Sequence, residues 1–195
     1  GLKTAYIGIV GNDSNGQMVL QELKNEKVDF LGKVKIGKTG FSIILPSSQE
    51  RTILSYKGVN NNLELKDINL SILKTKWIYI STMLKKSLIT IKSLSSWTKP
   101  NGVKTAFNIS DYLAKQGLKK LNPILKNTDI LFLNKQESMV LTGKSIIKDI
   151  FKEISKYSAG IIVITDGFNP VYCSNKGKIY KRIINKIKPV DKTGA

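Results

Sequence analysis

Ile130-Leu131-Phe132-Leu133-Asn134-Lys135-Gln136-Glu137 is the stretch on which the reading of this chain turns. Taken from Asp129, its apolar half has the length and β-rich composition of a buried strand. Its polar half changes to helical spacing, which predicts a short helix from Lys135 to Leu141. The same change recurs on both sides. Trp77 to Ser81 predicts a strand, followed by a helical stretch around Leu88 to Trp97. Lys104 to Asn108 predicts another strand, and Ser110 or Asp111 can cap a helical stretch that runs on towards Leu125. Ile146, Ile147, Ile150, Phe151 and Ile154 mark an amphipathic helix ahead of a strand from Gly160 to Thr165. Val171 to Cys173 and Lys178 to Ile184 read as a terminal hairpin. Repeated βα units predict a mainly parallel sheet covered by helices. Such sheets bind ligands at the carboxyl ends of their strands.

The N-terminal part begins in the same style and then departs from it. Thr4 to Val10 predicts a buried strand, Gly11 to Gly16 a turn with helix caps, and Val19, Leu20 and Leu23 one helical face ending near Val28. Phe30 to Val34, Thr39 to Leu45 and Arg51 to Tyr56 then read as three strands joined by polar turns, with Ser47 to Glu50 as a hairpin-like connection. No helix fits between them, so residues 30–56 are predicted to form a small β-only sheet or flap. Within this region Gly32-Lys33-Val34-Lys35-Ile36-Gly37-Lys38-Thr39 satisfies the phosphate-loop pattern G-x-x-x-x-G-K-[ST]. That pattern works only when a strand precedes it and a helix follows. Here Thr39 leads into Gly40-Phe41-Ser42-Ile43-Ile44-Leu45-Pro46, a strand, so the match is read as coincidental.

Composition narrows the classes. A chain of 195 residues with a hydrophobic fraction of 41% fits one substantial globular domain. The apolar runs are far too short to span a bilayer, so no membrane association is expected. Histidine is absent and Cys173 is the single cysteine, which excludes Ser-His-Asp, Cys-His and His-ligated zinc chemistry within the chain. One cysteine and no signal-like leader predict a reducing cytoplasm. The net charge of +18 comes almost wholly from scattered lysines, with Arg51 and Arg182 the only arginines. Nucleic-acid readers favour arginine gathered in patches, so no nucleic-acid partner is predicted.

Polar groups recur at the predicted strand ends. Asn134 and Glu137 lie one helical turn apart and can order Mg2+ waters around a triphosphate; the same spacing also makes an N-cap with a capping-box glutamate. Thr165-Asp166-Gly167 can bond a nucleotide phosphate or form a tight turn. Asn108-Ile109-Ser110 offers a ligand group or a helix cap. Asp191-Lys192-Thr193-Gly194-Ala195 reads as the opening of an anion-binding turn.

Taken together these segments resemble the ribokinase/PfkB family of carbohydrate and nucleoside kinases, over essentially the whole chain. The resemblance is carried by Thr4 to Asp13 with Gly16, by Thr39-Gly40 and Glu50-Arg51-Thr52, by the segment from Ile130 to Glu137 with Leu141-Thr142-Gly143, and by Asp191 to Ala195. Ala106 to Ser110 with Tyr112-Leu113-Ala114 is similar to the sugar- and adenosine-kinase-like members.

The resemblance implies an α/β fold: a three-layer, mainly parallel α/β/α sheet with a small β lid, formed as one domain over residues 1–195 with the lid at 30–56. It implies an ATP-dependent kinase acting on an alcohol group of a sugar or nucleoside. Asn134 and Glu137 would organise Mg2+ and phosphates, Glu137 through water. Thr165, Gly167 and Thr193 would line the nucleotide, and Asn108 the substrate. Gly194 and Ala195 would begin the anion hole, and Asp191 would neighbour a monovalent-cation (K+) site. Two copies would pair through the lid to form a homodimer. The family's catalytic Asp would fall two positions beyond Ala195 and its glycine-rich sugar-binding segment before Gly1, so the chain reads as a fragment trimmed at both ends. Lys192 and Pro170 depart from the family pattern and keep open a non-catalytic relative that binds a nucleotide or a partner.

Overall fold

Two glycines interrupt the first strands. In the computed structural model, which gives residues 2–46, 51–158 and 160–184, the predicted strand Thr4 to Val10 is divided into β1 (Ala5–Tyr6) and β2 (Ile9–Gly11). Helix α1 (Ser14–Asn25) follows, and the next predicted strand is divided likewise into β3 (Asp29–Phe30) and β4 (Lys33–Lys35). β1 pairs with β3 and β2 with β4, both parallel. The ladder runs through the breaks, because Asp29, Leu31 and Lys33 donate their N–H groups to the carbonyls of Thr4, Tyr6 and Gly8. A side chain on Gly32 would strike the Gly8 backbone, so only glycine lets the strands close here.

This pairing corrects the sequence reading of the flap. The strand after α1 returns alongside the strand before it, which is what a helical crossover permits and a hairpin does not. The β-only segment therefore starts later. β5 (Phe41–Pro46) and β6 (Arg51–Tyr56) form an antiparallel two-stranded ribbon, with Phe41 opposite Tyr56 and Ile43 opposite Leu54. The predicted connection Ser47 to Glu50 lies outside the described residues. Short 3-10 turns carry the chain on from Gly58 to Ile72. They are tied back by the Lys35 ammonium, which donates to the Asn62 carbonyl at 2.7 Å and pairs with Asp67 at 2.6 Å.

The chain divides into two units, Gly1–Lys74 with Met83–Leu94, and Thr75–Thr82 with Ser95–Ala195. The second holds the large sheet. Its strands are β7 (Trp77–Ile80), then, after helix α2 (Lys85–Thr98), β8 (Lys104–Asn108). Helices α3 (Asp111–Ala114) and α4 (Gly117–Leu125) lead to β9 (Ile130–Asn134), and α5 (Lys135–Thr142) and α6 (Ile147–Ile154) to β10 (Ile161–Thr165). β11 (Val171–Asn175) and β12 (Lys178–Arg182) close it as the predicted hairpin. The order is β12-β11-β10-β9-β8-β7. β7 to β10 run parallel, and β11 and β12 antiparallel.

Side-chain alternation explains why this sheet forms. Leu131 and Leu133 on β9, and Ile162 and Ile164 on β10, all point to one face and are buried. Leu121, Ile124, Leu125, Ile150 and Ile154 from α4 and α6 are buried as well. Each such residue contributes roughly 1.5–3 kcal/mol on burial. One prediction is corrected: the helical stretch towards Leu125 is two helices, α3 and α4. The break falls at Gly117, whose φ of +78° lies in the left-handed region that favours glycine. The reading of an α/β fold with a mainly parallel sheet and a small additional β ribbon holds.

Candidate active site

The register of the sheet builds the site. Thr165 stands opposite Asn134 as the last pair of the parallel β9–β10 ladder. Both are exposed, while the residues just before them are buried. Two polar side chains thus stand level at the carboxyl ends of adjacent parallel strands, the edge where such sheets take ligands. Asn108 ends β8 opposite Phe132, so it sits two residues short of the Asn134 level.

Asn134 and Glu137 are joined by a capping box. The Asn134 side-chain oxygen accepts the Glu137 N–H at 2.7 Å, and one Glu137 carboxylate oxygen accepts the Asn134 N–H at 2.7 Å. This is the local reason α5 begins here. The capping alternative is therefore realised, and it uses only one of the two carboxylate oxygens. Burial pushes the Glu137 carboxyl above the ordinary glutamate value; the Asn134 N–H pulls it down and the Asp111 carboxylate pushes it up. Asp111 itself is paired with Lys115 at 2.6 Å. Beside it, the Ser110 hydroxyl is buried without a partner.

Beyond Thr165 the chain turns over Asp166 and Asn169, whose N–H donates to the Asp166 carbonyl at 2.8 Å. Gly167 has a φ of +55° and open space where a side chain would stand. The tight-turn alternative for Thr165-Asp166-Gly167 is thus also realised. The Lys135 ammonium bonds the Asp166 carboxylate at 2.9 Å, which links the residue after β9 to the residue after β10. An open cavity of about 490 Å³ is lined by Lys135, Gln136, Met139, Ser145 and Asp166. That volume suits a small ligand. The structure therefore brings together Asn134, Glu137 and Thr165, with Gly167 two residues further on and Asn108 on the next strand. The predicted residues Asp191, Thr193, Gly194 and Ala195 lie outside the described residues.

Sequence reasoning missed Lys135, Asp166 and Asp111. For the first two a signal existed: opposite charges directly after two consecutive parallel strands.

The residues present fit a hydrated Mg2+ and a phosphate group. Among the described residues no three His, Cys, Asp or Glu side chains gather into a metal cage. Mg2+ is commonly held by one or two carboxylates, with water and phosphate oxygens completing its shell. Glu137 offers one carboxylate oxygen not used by the capping box, which meets that requirement.

The phosphate-loop pattern is not a loop of that kind. Thr39 is followed by β5, and its hydroxyl is buried against Gly11 and Asp13. Lys38→Ala is accordingly expected to leave the ATP KM of the full-length protein within about twofold of wild type, because an exposed lysine away from a phosphate cradle contributes little. A loss of ATP binding in steady-state kinetics would reinstate the loop.

Comparison with known proteins agrees with this arrangement. The fold is that of the ribokinase-like kinases: an adenosine kinase from Sinorhizobium meliloti superposes with a TM-score of 0.86 over 98% of this chain and 61% of that one, at 18% identity. The sequence matches the pfkB family carbohydrate kinase over residues 1–195, and the chain belongs to that family. An uncharacterized sugar kinase of Archaeoglobus fulgidus is 30% identical, with 72% of this chain and 58% of that protein covered. A 5-dehydro-2-deoxygluconokinase of Mesomycoplasma hyopneumoniae strain 7448 is 31% identical, with 96% of this chain and 61% of that protein covered. The chain thus spans about three-fifths of the length of these relatives. Among the described residues, no helix is long and apolar enough to cross a membrane.

Proposed function

We propose that the whole protein is an ATP-dependent phosphotransferase acting on an alcohol group of a sugar or related small molecule. The observation that carries this reading is the level pair Asn134 and Thr165 at two parallel strand ends, with Glu137 one helical turn further on. In this reading Asn134 and Glu137 hold a hydrated Mg2+ and the phosphates, and Thr165 and Gly167 line the nucleotide. Asn108 contacts the substrate. Thr193, Gly194 and Ala195 contribute to an anion hole, and Asp191 neighbours a K+ site. Bound ATP supplies the phosphoryl group; the chain's own residues orient it and offset its charge. The non-catalytic alternative is not favoured, because the relatives are named as kinases. The test is ATP consumption by the full-length protein across a panel of sugars and nucleosides. Turnover on one compound class is expected; no turnover together with no ATP binding would remove the reading.

The lid ribbon supports a partner as well. Phe41, Ile43, Leu54 and Tyr56 share one face, and each is about half exposed. A stripe of this kind is favourably covered by a second copy. Leu54→Lys is expected to turn a dimer into a monomer in light scattering behind size exclusion; a wild-type monomer at assay concentration would defeat the pairing.

A further inference from the structure

The ion pair between Lys135 and Asp166 spans the two turns that the nucleotide reading uses, and it lies against the cavity. Its members follow directly on Asn134 and Thr165, which stand opposite each other in the ladder. The Lys135 side chain is 40% exposed and the Asp166 side chain 21%. An ion pair this open to water is held weakly, since solvent screens most of its Coulomb energy. Both residues line the same cavity of about 490 Å³. A polyphosphate entering there meets an ammonium already occupied by a carboxylate. The carboxylate brings one negative charge and the polyphosphate several, so the ammonium is better satisfied by the phosphates.

We propose that Lys135 passes from Asp166 to a phosphate of the bound nucleotide, and that Asp166 acts as a built-in competitor that sets how tightly the nucleotide is held. This inference rests on the nucleotide reading of the strand ends given above. It assigns Lys135 as a phosphate-binding residue and Asp166 as a residue acting through it. It also separates this arrangement from a plain strut. A strut that joins two turns is broken equally by removing either end. A competitor and the group it competes for respond in opposite directions.

The experiment measures ATP binding to the full-length protein by calorimetry, with inorganic triphosphate as a second probe, for wild type, Lys135→Met and Asp166→Asn. Lys135→Met is expected to weaken ATP roughly tenfold, the scale of one charge-assisted bond to phosphate, and Asp166→Asn to tighten it roughly threefold or more. Triphosphate should follow the same order, because the exchange involves phosphate and not the base. Melting temperatures of both variants establish that they fold. If both variants weaken ATP, the pair is a strut and the proposal is overturned. It is equally overturned if neither changes affinity or if triphosphate fails to follow. If the wild-type protein binds no ATP at all, the nucleotide reading itself falls and the inference with it, which is a different result from any of these.

Discussion

Glu137→Gln is expected to leave the full-length protein folded while lowering kcat at least about a hundredfold, the scale seen when one group that stabilises transition-state charge is lost. The two roles of Glu137 come apart in this variant. A glutamine side-chain oxygen still accepts the Asn134 N–H, so the capping box that starts α5 survives. What is lost is the negative charge that the proposed hydrated Mg2+ would need. Glu137→Ala removes both, and is expected to lose about 1 kcal/mol of stability in addition to activity. The pH response carries the same distinction. Burial, reinforced by the Asp111 carboxylate, holds the Glu137 carboxyl above the ordinary glutamate value. A raised carboxylate is unusual in its sign: the folded state binds the proton more tightly than the unfolded chain. Ionised Glu137 therefore costs stability above its folded pKa, and that cost is relieved as pH falls through it. Activity is expected to fall on the acid side earlier than an unshifted glutamate would allow, while the fold is not weakened by this group. Circular dichroism beside kcat/KM at each pH reads both. Full activity in Glu137→Gln would leave the residue a helix cap and nothing more.

Much of the fold was legible because buried parallel strands leave a plain trace. Ile130 to Leu133 and Gly160 to Thr165 are apolar runs bounded by polar turns, and each emerged as a strand with its polar end outward. The division of Thr4 to Val10 was not legible. It depends on Gly8 meeting Gly32 across a ladder, and nothing local in either segment reports the other. The break between α3 and α4 depends on Gly117 adopting a left-handed conformation, which a glycine permits but does not announce. The site shows the same division. Asn134 and Glu137 were visible as a spaced pair, but the spacing could not tell a cap from a ligand, since both need one helical turn. Lys135 and Asp166 meet only because two strands lie in register, 31 residues apart in sequence. The phosphate-loop pattern shows the opposite failure: every fixed position matched while the backbone around Thr39 does something else.

Thr39→Val is expected to be the most destabilising single change of similar volume in the N-terminal unit. The Thr39 hydroxyl accepts the Gly11 N–H at 2.8 Å and donates to the Asp13 carboxylate at 2.5 Å, and the residue is only 3% exposed. The same carboxylate accepts the Thr39 N–H at 3.1 Å and, as the N-cap of α1, the Gly16 N–H at 3.0 Å. One hydroxyl thus closes a ring through the end of β2, the start of α1 and the entry to the β5–β6 ribbon. Valine fills the space but leaves the Gly11 N–H buried without an acceptor, at a cost of about 1–3 kcal/mol. Water cannot readily enter to replace it, because Gly11 is packed so closely on the Gly37 and Lys38 backbone that even a methyl group would collide. For a unit of this size the loss corresponds to roughly 4–24 °C in Tm. Thr39→Ser keeps the hydroxyl and should recover most of it, which separates the bond from the methyl group. The Asp13 carboxyl lies below the ordinary aspartate value, chiefly through the Thr39 hydroxyl and despite some burial. Its contribution is therefore present above the unfolded aspartate pKa and is lost as pH falls through the lower folded one. In Thr39→Val that acid-side loss should shrink, since the hydroxyl that lowers the pKa is gone. A Thr39→Val protein that melts with wild type at neutral pH and shows the same acid transition would mean that the ring adds nothing to stability.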